Sequence, residues 1–196
     1  TGVGDFMYED INGDGEITID DRAIIGNIEP KYFGGISNSF AYKNFTLTAL
    51  FQYSVGAESL WNSIPASTYN GLGENKYSEY ALNTWTVDNP EARYAKTVYT
   101  DPSQNGRISD RYLFDSSYLR LRSVQLNYNL DNQFLKRVGL QALTFYVTGT
   151  NLWTLTKWPG IDPETFSERG NITDQISNED PYPLSKSFSL GVQLQF

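Results

Sequence analysis

The sequence predicts an all-β chain whose antiparallel strands form part of a large transmembrane β-barrel with long loops at one end. Three observations carry this. Five stretches alternate apolar and polar residues with the period of two that a two-faced strand requires. The links between them are alternately short and long. The polar side of the alternation is Ser, Thr, Gln and Asn rather than Lys and Glu.

The first strand is expected from about Phe33 to Tyr42, with Ile36, Phe40 and Tyr42 in one phase. The second, Phe45 to Tyr53, sets Phe45, Leu47, Ala49, Phe51 and Tyr53 against Thr46, Thr48, Leu50 and Gln52. Only Lys43-Asn44 separates them, so the pair over 33–53 reads as a tight hairpin. A long irregular segment, 54–117, follows. It carries Pro65, Gly71, Gly73, Pro90, Pro102, Asn105 and Gly106, with short helical turns expected around Ser78 to Trp85. A compact soluble domain rarely contains so long a connection.

The third strand, Tyr118 to Leu130, places Val124, Leu126, Tyr128 and Leu130 in one phase but Leu119 and Leu121 in the other. A bulge near Ser123 reconciles them. A short link, Asp131 to Gly139, leads to a fourth strand near Leu140 to Asn151, closing a strand pair over 118–151. There Leu143, Phe145 and Val147 alternate with Thr144, Tyr146 and Thr148. A second long loop, 152–184, contains Pro159, Pro163, Pro181 and Pro183. The last strand, within 185–196, alternates Phe188, Leu190, Val192, Leu194 and Phe196 against Ser187, Ser189, Gly191, Gln193 and Gln195.

Short links alternating with long loops are the rhythm of outer-membrane barrels, whose periplasmic turns are short and extracellular loops long. A polar side of small uncharged residues suits a wet lumen, and an aromatic and aliphatic side suits lipid. A soluble sandwich would more often expose Lys and Glu.

Composition narrows the function classes. Fifteen basic against 23 acidic residues leave a formal charge of -8, which gives nucleic acid no basic surface. There is no Cys and no His, so disulfides, thiol catalysis and the commonest acid/base and zinc ligand are absent. No apolar run approaches the roughly 20 residues of a membrane helix, whereas barrel strands never look hydrophobic overall. No catalytic residue is assigned.

One motif carries metal chemistry. Asp10-Ile11-Asn12-Gly13-Asp14-Gly15-Glu16-Ile17-Thr18-Ile19-Asp20-Asp21 has the twelve-residue spacing of a calcium loop, in which alternate side chains turn inward onto a hard cation that takes six to eight oxygens. On that template Asp10, Asn12 and Asp14 coordinate through side chains, Glu16 through its carbonyl, Thr18 directly or through water, and Asp21 through both carboxylate oxygens. Gly15 occupies the sharp turn, and Ile17 anchors the loop. Position 12 is Asp rather than Glu and no amphipathic helix precedes it, so the loop resembles that of dockerin repeats, in a single copy. Asp-Asn-Gly clusters also build metal-free turns through side-chain to backbone hydrogen bonds. Both readings stand; in the first, Ca²⁺ is structural and staples an exposed loop in 1–32.

Asp162, Glu164, Glu168, Asp174, Glu179 and Asp180 crowd the last long loop. They read as a solvated acidic loop rather than a glycosidase pair, since nothing supplies the burial that splits two carboxyl pKa values. Trp61, Tyr69, Tyr77, Tyr80, Trp85, Tyr94 and Tyr99 either stack on sugar rings or a partner, or pack on one another. Trp153 and Trp158 flank the end of the fourth strand, where barrels keep an interfacial girdle. Substrate-binding residues are not identifiable.

Gly149-Thr150-Asn151-Leu152-Trp153-Thr154-Leu155-Thr156-Lys157-Trp158 followed by Pro159-Gly160-Ile161-Asp162-Pro163-Glu164 resembles a segment near the end of SusC/RagA-type TonB-dependent transporters. The acidic loop from Asp10 agrees, as do Gly26-Asn27 through Pro30-Lys31-Tyr32-Phe33-Gly34-Gly35 and the closing Tyr182-Pro183 to Phe196, in the family's order. The resemblance implies the C-terminal part of a barrel of about 22 strands in the bacterial outer membrane. It further implies an N-terminal plug, a SusD-like surface lipoprotein partner that hands over glycans or peptides, and power drawn through TonB. The plug, the TonB box and most of the barrel are not in this sequence. Phe188 to Phe196 would then close the ring against the first barrel strand, and five strands alone would leave two edges unpaired and a lipid face bare. The alternative from a different class is a soluble calcium-stabilised β domain that binds carbohydrate or protein.

Overall fold

The computed structural model describes residues 2–61, 78–98, 100–130, 135, 139–164 and 183–196. Strands dominate: β1 (Tyr32–Tyr42), β2 (Phe45–Val55), β3 (Glu58–Leu60), β4 (Leu113–Asp115), β5 (Tyr118–Asn129), β6 (Ala142–Thr156) and β7 (Ser187–Gln195). The only helix among the described residues longer than three residues is α1 (Ser78–Leu82), within the stretch where helical turns were expected. None is long and apolar enough to cross a membrane.

The chain divides into two compact units. One comprises Thr1–Asn27, Ser59–Phe114 and Ser167–Asp180, the other Ile28–Glu58, Asp115–Phe166 and Pro181–Phe196. The first draws together most of what reads in sequence as an irregular connection. Trp61, Tyr80, Tyr94, Ala95 and Tyr112 are buried there, with the Tyr80 and Tyr94 rings 5.2 Å apart and Trp61 edge-on to Phe114 at 5.8 Å. A polar clamp joins its amino-terminal stretch to residues 96–105. Asp5 accepts from Gly2 N at 2.7 Å, Ser103 Oγ at 2.8 Å and Asn105 Nδ2 at 3.0 Å, while Asn105 Oδ1 accepts Phe6 N. Burial would raise the Asp5 carboxyl pKa, but the Asn105, Gly2, Ser103 and Lys96 donors outweigh it and hold it well below the usual carboxylate range.

The second unit is a five-stranded antiparallel sheet in the order β1-β2-β5-β6-β7. Its elements match the alternating stretches, with β6 running five residues beyond Asn151, to Thr156. Across the turn Tyr42 faces Phe45, and Lys43 takes the left-handed φ of 51° that a two-residue hairpin demands. Register places one apolar file per strand on a single face: Phe45, Tyr128, Phe145 and Val192 stand opposite one another, as do Leu47, Leu126, Val147 and Leu190. The other face carries Thr46, Asn127, Tyr146 and Gly191, then Thr48, Gln125, Thr148 and Ser189.

The expected bulge is present. Leu50 and Phe51 on β2 face Ser123 and Leu121 on β5, so β5 carries Arg122 as an extra residue. That insertion returns Leu119 and Leu121 to the apolar face, where Leu121 meets Phe51 and Trp153. A further residue is inserted on β6, where Thr150 to Trp153 spans only Ser123 to Leu121. Asn151 absorbs it with φ of 51°, a conformation that Asn tolerates better than most side chains.

Candidate functional site

The sheet's two faces differ in kind. On β7, Phe188, Leu190, Val192, Leu194 and Phe196 are 75, 83, 52, 50 and 80% exposed. Tyr32, Ile36, Phe40, Tyr42, Phe45 and Leu47 continue this uncovered apolar surface across β1 and β2. A soluble chain rarely leaves so large an apolar area bare. The opposite face is lined by hydroxyls and amides that bond across strands: Thr144 Oγ1 to Asn129 Oδ1 at 2.7 Å, Thr150 Oγ to Ser187 Oγ at 2.6 Å, and Ser39 Oγ to Thr48 Oγ1 at 3.4 Å.

At one end of the polar face lies a buried ionic network. Arg120, opposite Gln52 and Thr154, is 2% exposed. Its Nη2 donates to Asp162 Oδ1 at 2.6 Å, and its Nε forms an ion pair with Glu164 Oε2 at 2.9 Å. Glu164 also receives Tyr118 OH at 2.9 Å and approaches Arg122 Nη1 at 3.5 Å. Burial would raise the Asp162 pKa, yet the Arg120 guanidinium and the N–H groups of Glu164 and Leu184 hold it below its usual range. Two guanidiniums thus meet two carboxylates, the balance a low-dielectric site requires.

The Asp10 loop sits on the surface. Asn12, Asp14, Glu16 and Thr18 to Asp20 are exposed, and Asp10, Ile17 and Asp21 are half-buried. Asp10 Oδ1 accepts Gly13 N and Asp14 N, and Asp10 Oδ2 accepts Gly15 N at 2.8 Å. Asp21 Oδ1 accepts Ile11 N at 2.9 Å, and Asp21 Oδ2 accepts Thr18 N at 2.7 Å. The Thr18 N–H bond is the main cause holding the Asp21 carboxyl below its usual range. Thr18 and Asp21 form a capping box on the 3-10 turn Ile19–Asp21. The first and twelfth loop positions therefore both bond back into the loop, and the donor types suit a hard cation. Their oxygens close on backbone N–H groups, and no cluster of three or more acidic side chains able to hold a metal stands together among the described residues.

No family model matches the chain. TonB-dependent receptor P3 of Formosa agariphila is 34% identical over 98% of this chain and 19% of its own length. TonB-dependent receptor SusC of Bacteroides thetaiotaomicron is 29% identical over 97% of this chain and 17% of its own. The RagAB peptide importer in its open-open state superposes with a TM-score of 0.72 and 29% identity, covering 92% of this chain and 19% of that one. The chain is a SusC/RagA-like TonB-dependent receptor segment. It spans about a fifth of the length of the relatives it matches, and its sheet is part of a barrel wall whose ring is not closed within these residues.

In this SusC/RagA-like segment two sequence expectations need correction. Trp158 is not an interfacial girdle residue: it is 8% exposed, tucked after β6 with its backbone N–H on Thr156 Oγ1, and its indole lies against Gly160, where a side chain would collide. Trp153 lies on the apolar face and is 46% exposed. Asp162 is likewise no solvated acid, since Arg120 draws it into a buried pair, with Glu164 half-buried beside it. Glu168, Asp174, Glu179 and Asp180 lie outside the described residues. Among the loop aromatics, Tyr80 and Tyr94 pack on one another and Trp61 on Phe114, Trp85 is half-buried, and Tyr69, Tyr77 and Tyr99 are outside the described residues.

Sequence reasoning missed Arg120, Arg122 and Asn151 as one group. A signal was present: Leu119-Arg120-Leu121-Arg122 puts two charges near the start of an otherwise uncharged strand, a costly placement unless acids elsewhere meet them.

Proposed function

We propose that this segment belongs to an outer-membrane active transporter that imports glycans or oligopeptides with a SusD-like surface lipoprotein, powered through TonB. The observation that carries the reading is the two-faced sheet: an uncovered apolar face suited to lipid behind a hydroxyl- and amide-lined face suited to a wet lumen. Likeness to the TonB-dependent receptor SusC and to the RagAB peptide importer supports transport as the activity. The Asp10 loop lies on the extracellular side in this reading.

The test is uptake by cells carrying the full-length receptor and its neighbouring lipoprotein, offered labelled oligopeptides or oligosaccharides. Uptake of either class that stops when TonB is deleted or the proton gradient is collapsed supports the proposal. Uptake that persists without TonB would overturn it.

We further propose that the Asp10 loop binds Ca²⁺ structurally. Asp10 Oδ2 and Asp21 Oδ2 each hold one backbone N–H and retain a second lone pair, so a cation can draw Asp10, Asn12, Asp14, the Glu16 carbonyl, Thr18 and Asp21 onto one point. Addition of Ca²⁺ should slow proteolysis of the loop in the native receptor, and Asp10→Asn with Asp14→Asn should abolish that protection. Equal cleavage with Ca²⁺ and with chelator would refute binding.

A further inference from the structure

Alternation fixes which face each β7 residue takes, but not which residue it faces. A one-residue slip would carry Phe188, Leu190, Val192 and Leu194 to the polar side and is forbidden by burial chemistry. A two-residue slip is not: apolar residues would replace apolar ones, and Ser, Gly and Gln would replace one another. Something other than the pattern must choose the register observed, in which Thr150 faces Ser187 and Thr148 faces Ser189.

The Arg120 network reaches the chain just before β7 by two arms. One runs from Arg120 to Asp162, whose Oδ2 accepts Leu184 N at 3.4 Å. The other runs from Arg120 to Glu164, on to Arg122, then to Asn151 Oδ1 at 3.2 Å, while Asn151 Nδ2 donates to Ser185 O at 3.0 Å. The arms end on backbone groups of adjacent residues. Backbone contacts do not depend on which side chain arrives, so they mark a position along the chain. The extra residues on β5 and β6 are Arg122 and Asn151, the members that complete the second arm.

We propose that the Arg120-centred network is a register lock for β7, fixing where the terminal strand begins against β6. Gly191 adds a check further along: it faces Tyr146, whose phenol occupies the place a side chain would need, and a two-residue slip brings Ser189 or Gln193 there. This goes beyond the transport reading and does not depend on it.

Disulfide trapping in the full-length receptor tests the proposal, since this segment contributes no native cysteine. Cysteines replacing Thr148 and Ser189 report the observed register. Pairs replacing Thr148 and Ser187, or Thr150 and Ser189, report two-residue slips in the two directions. With the network intact only the first pair should cross-link. Arg120→Met combined with Asp162→Asn and Glu164→Gln cuts both arms at their shared root without leaving a buried charge unpaired; slipped cross-links should then rise at least about tenfold, as expected for losing several charge-assisted hydrogen bonds. Arg122→Gln, which cuts one arm and leaves the buried pair in place, should give a smaller rise and serves if the triple variant is not inserted. Cross-linking confined to Thr148 and Ser189 in the variant recovered would overturn the lock, whatever the receptor transports.

Discussion

Gly4 has φ of 84°, and a Cβ built there would lie 2.6 Å from Trp85 Cδ2 and Cε3. Both the left-handed backbone and the lack of room require glycine. Gly4→Ala should therefore loosen the first unit by about 1–3 kcal/mol. The measurement is the rate of limited proteolysis after residue 78 in the full-length receptor, expected to rise several-fold over wild type. Residue-scale contacts of this kind were the least legible in the sequence. Nothing local to Asp5 announces a carboxylate buried beneath Asn105, a hundred residues away, and nothing in the Asp162-Pro163-Glu164 run says that Arg120 will bury it. Only their chemistry was readable, not their partners.

At the scale of elements the sequence was far more informative, because strand pattern is local and the sheet enforces it. Four of the five long strands begin and end within about two residues of the alternating stretch that predicts them, the accuracy pattern reasoning allows, and the bulge was demanded by the phase conflict of Leu119 and Leu121 with Val124. The fourth strand ran longer than read because the inserted Asn151 hides the continuing alternation of Trp153 and Leu155. The short pair β3 and β4 was missed: three residues are too few to show a period. β7 itself yields a prediction. Its alternation ends on Phe196, 80% exposed, at the place where a partner strand and lipid would meet it. Phe196→Ala in the full-length receptor should lower its level in the outer membrane more than its affinity for substrate, read by heat-modifiable mobility beside ligand binding. Normal insertion with weakened binding would contradict that role.

For the whole molecule, the governing fact is that one sheet face is apolar and uncovered while the other is polar and internally bonded. Neither the two unpaired edges, β1 and β7, nor that bare face makes sense for five strands in water: both are free to pair and free to aggregate. They make sense as part of a ring in lipid, as in the relatives this segment matches. The most direct measurement is solvent accessibility along β7 in the full-length receptor in membranes. Spin labels at Leu190 and Val192 should be quenched by oxygen dissolved in lipid, and labels at Ser189 and Gln193 by a water-soluble nickel chelate. Labels at all four positions shielded from both quenchers would mean that β7 packs into a closed protein core, and the barrel account would fail.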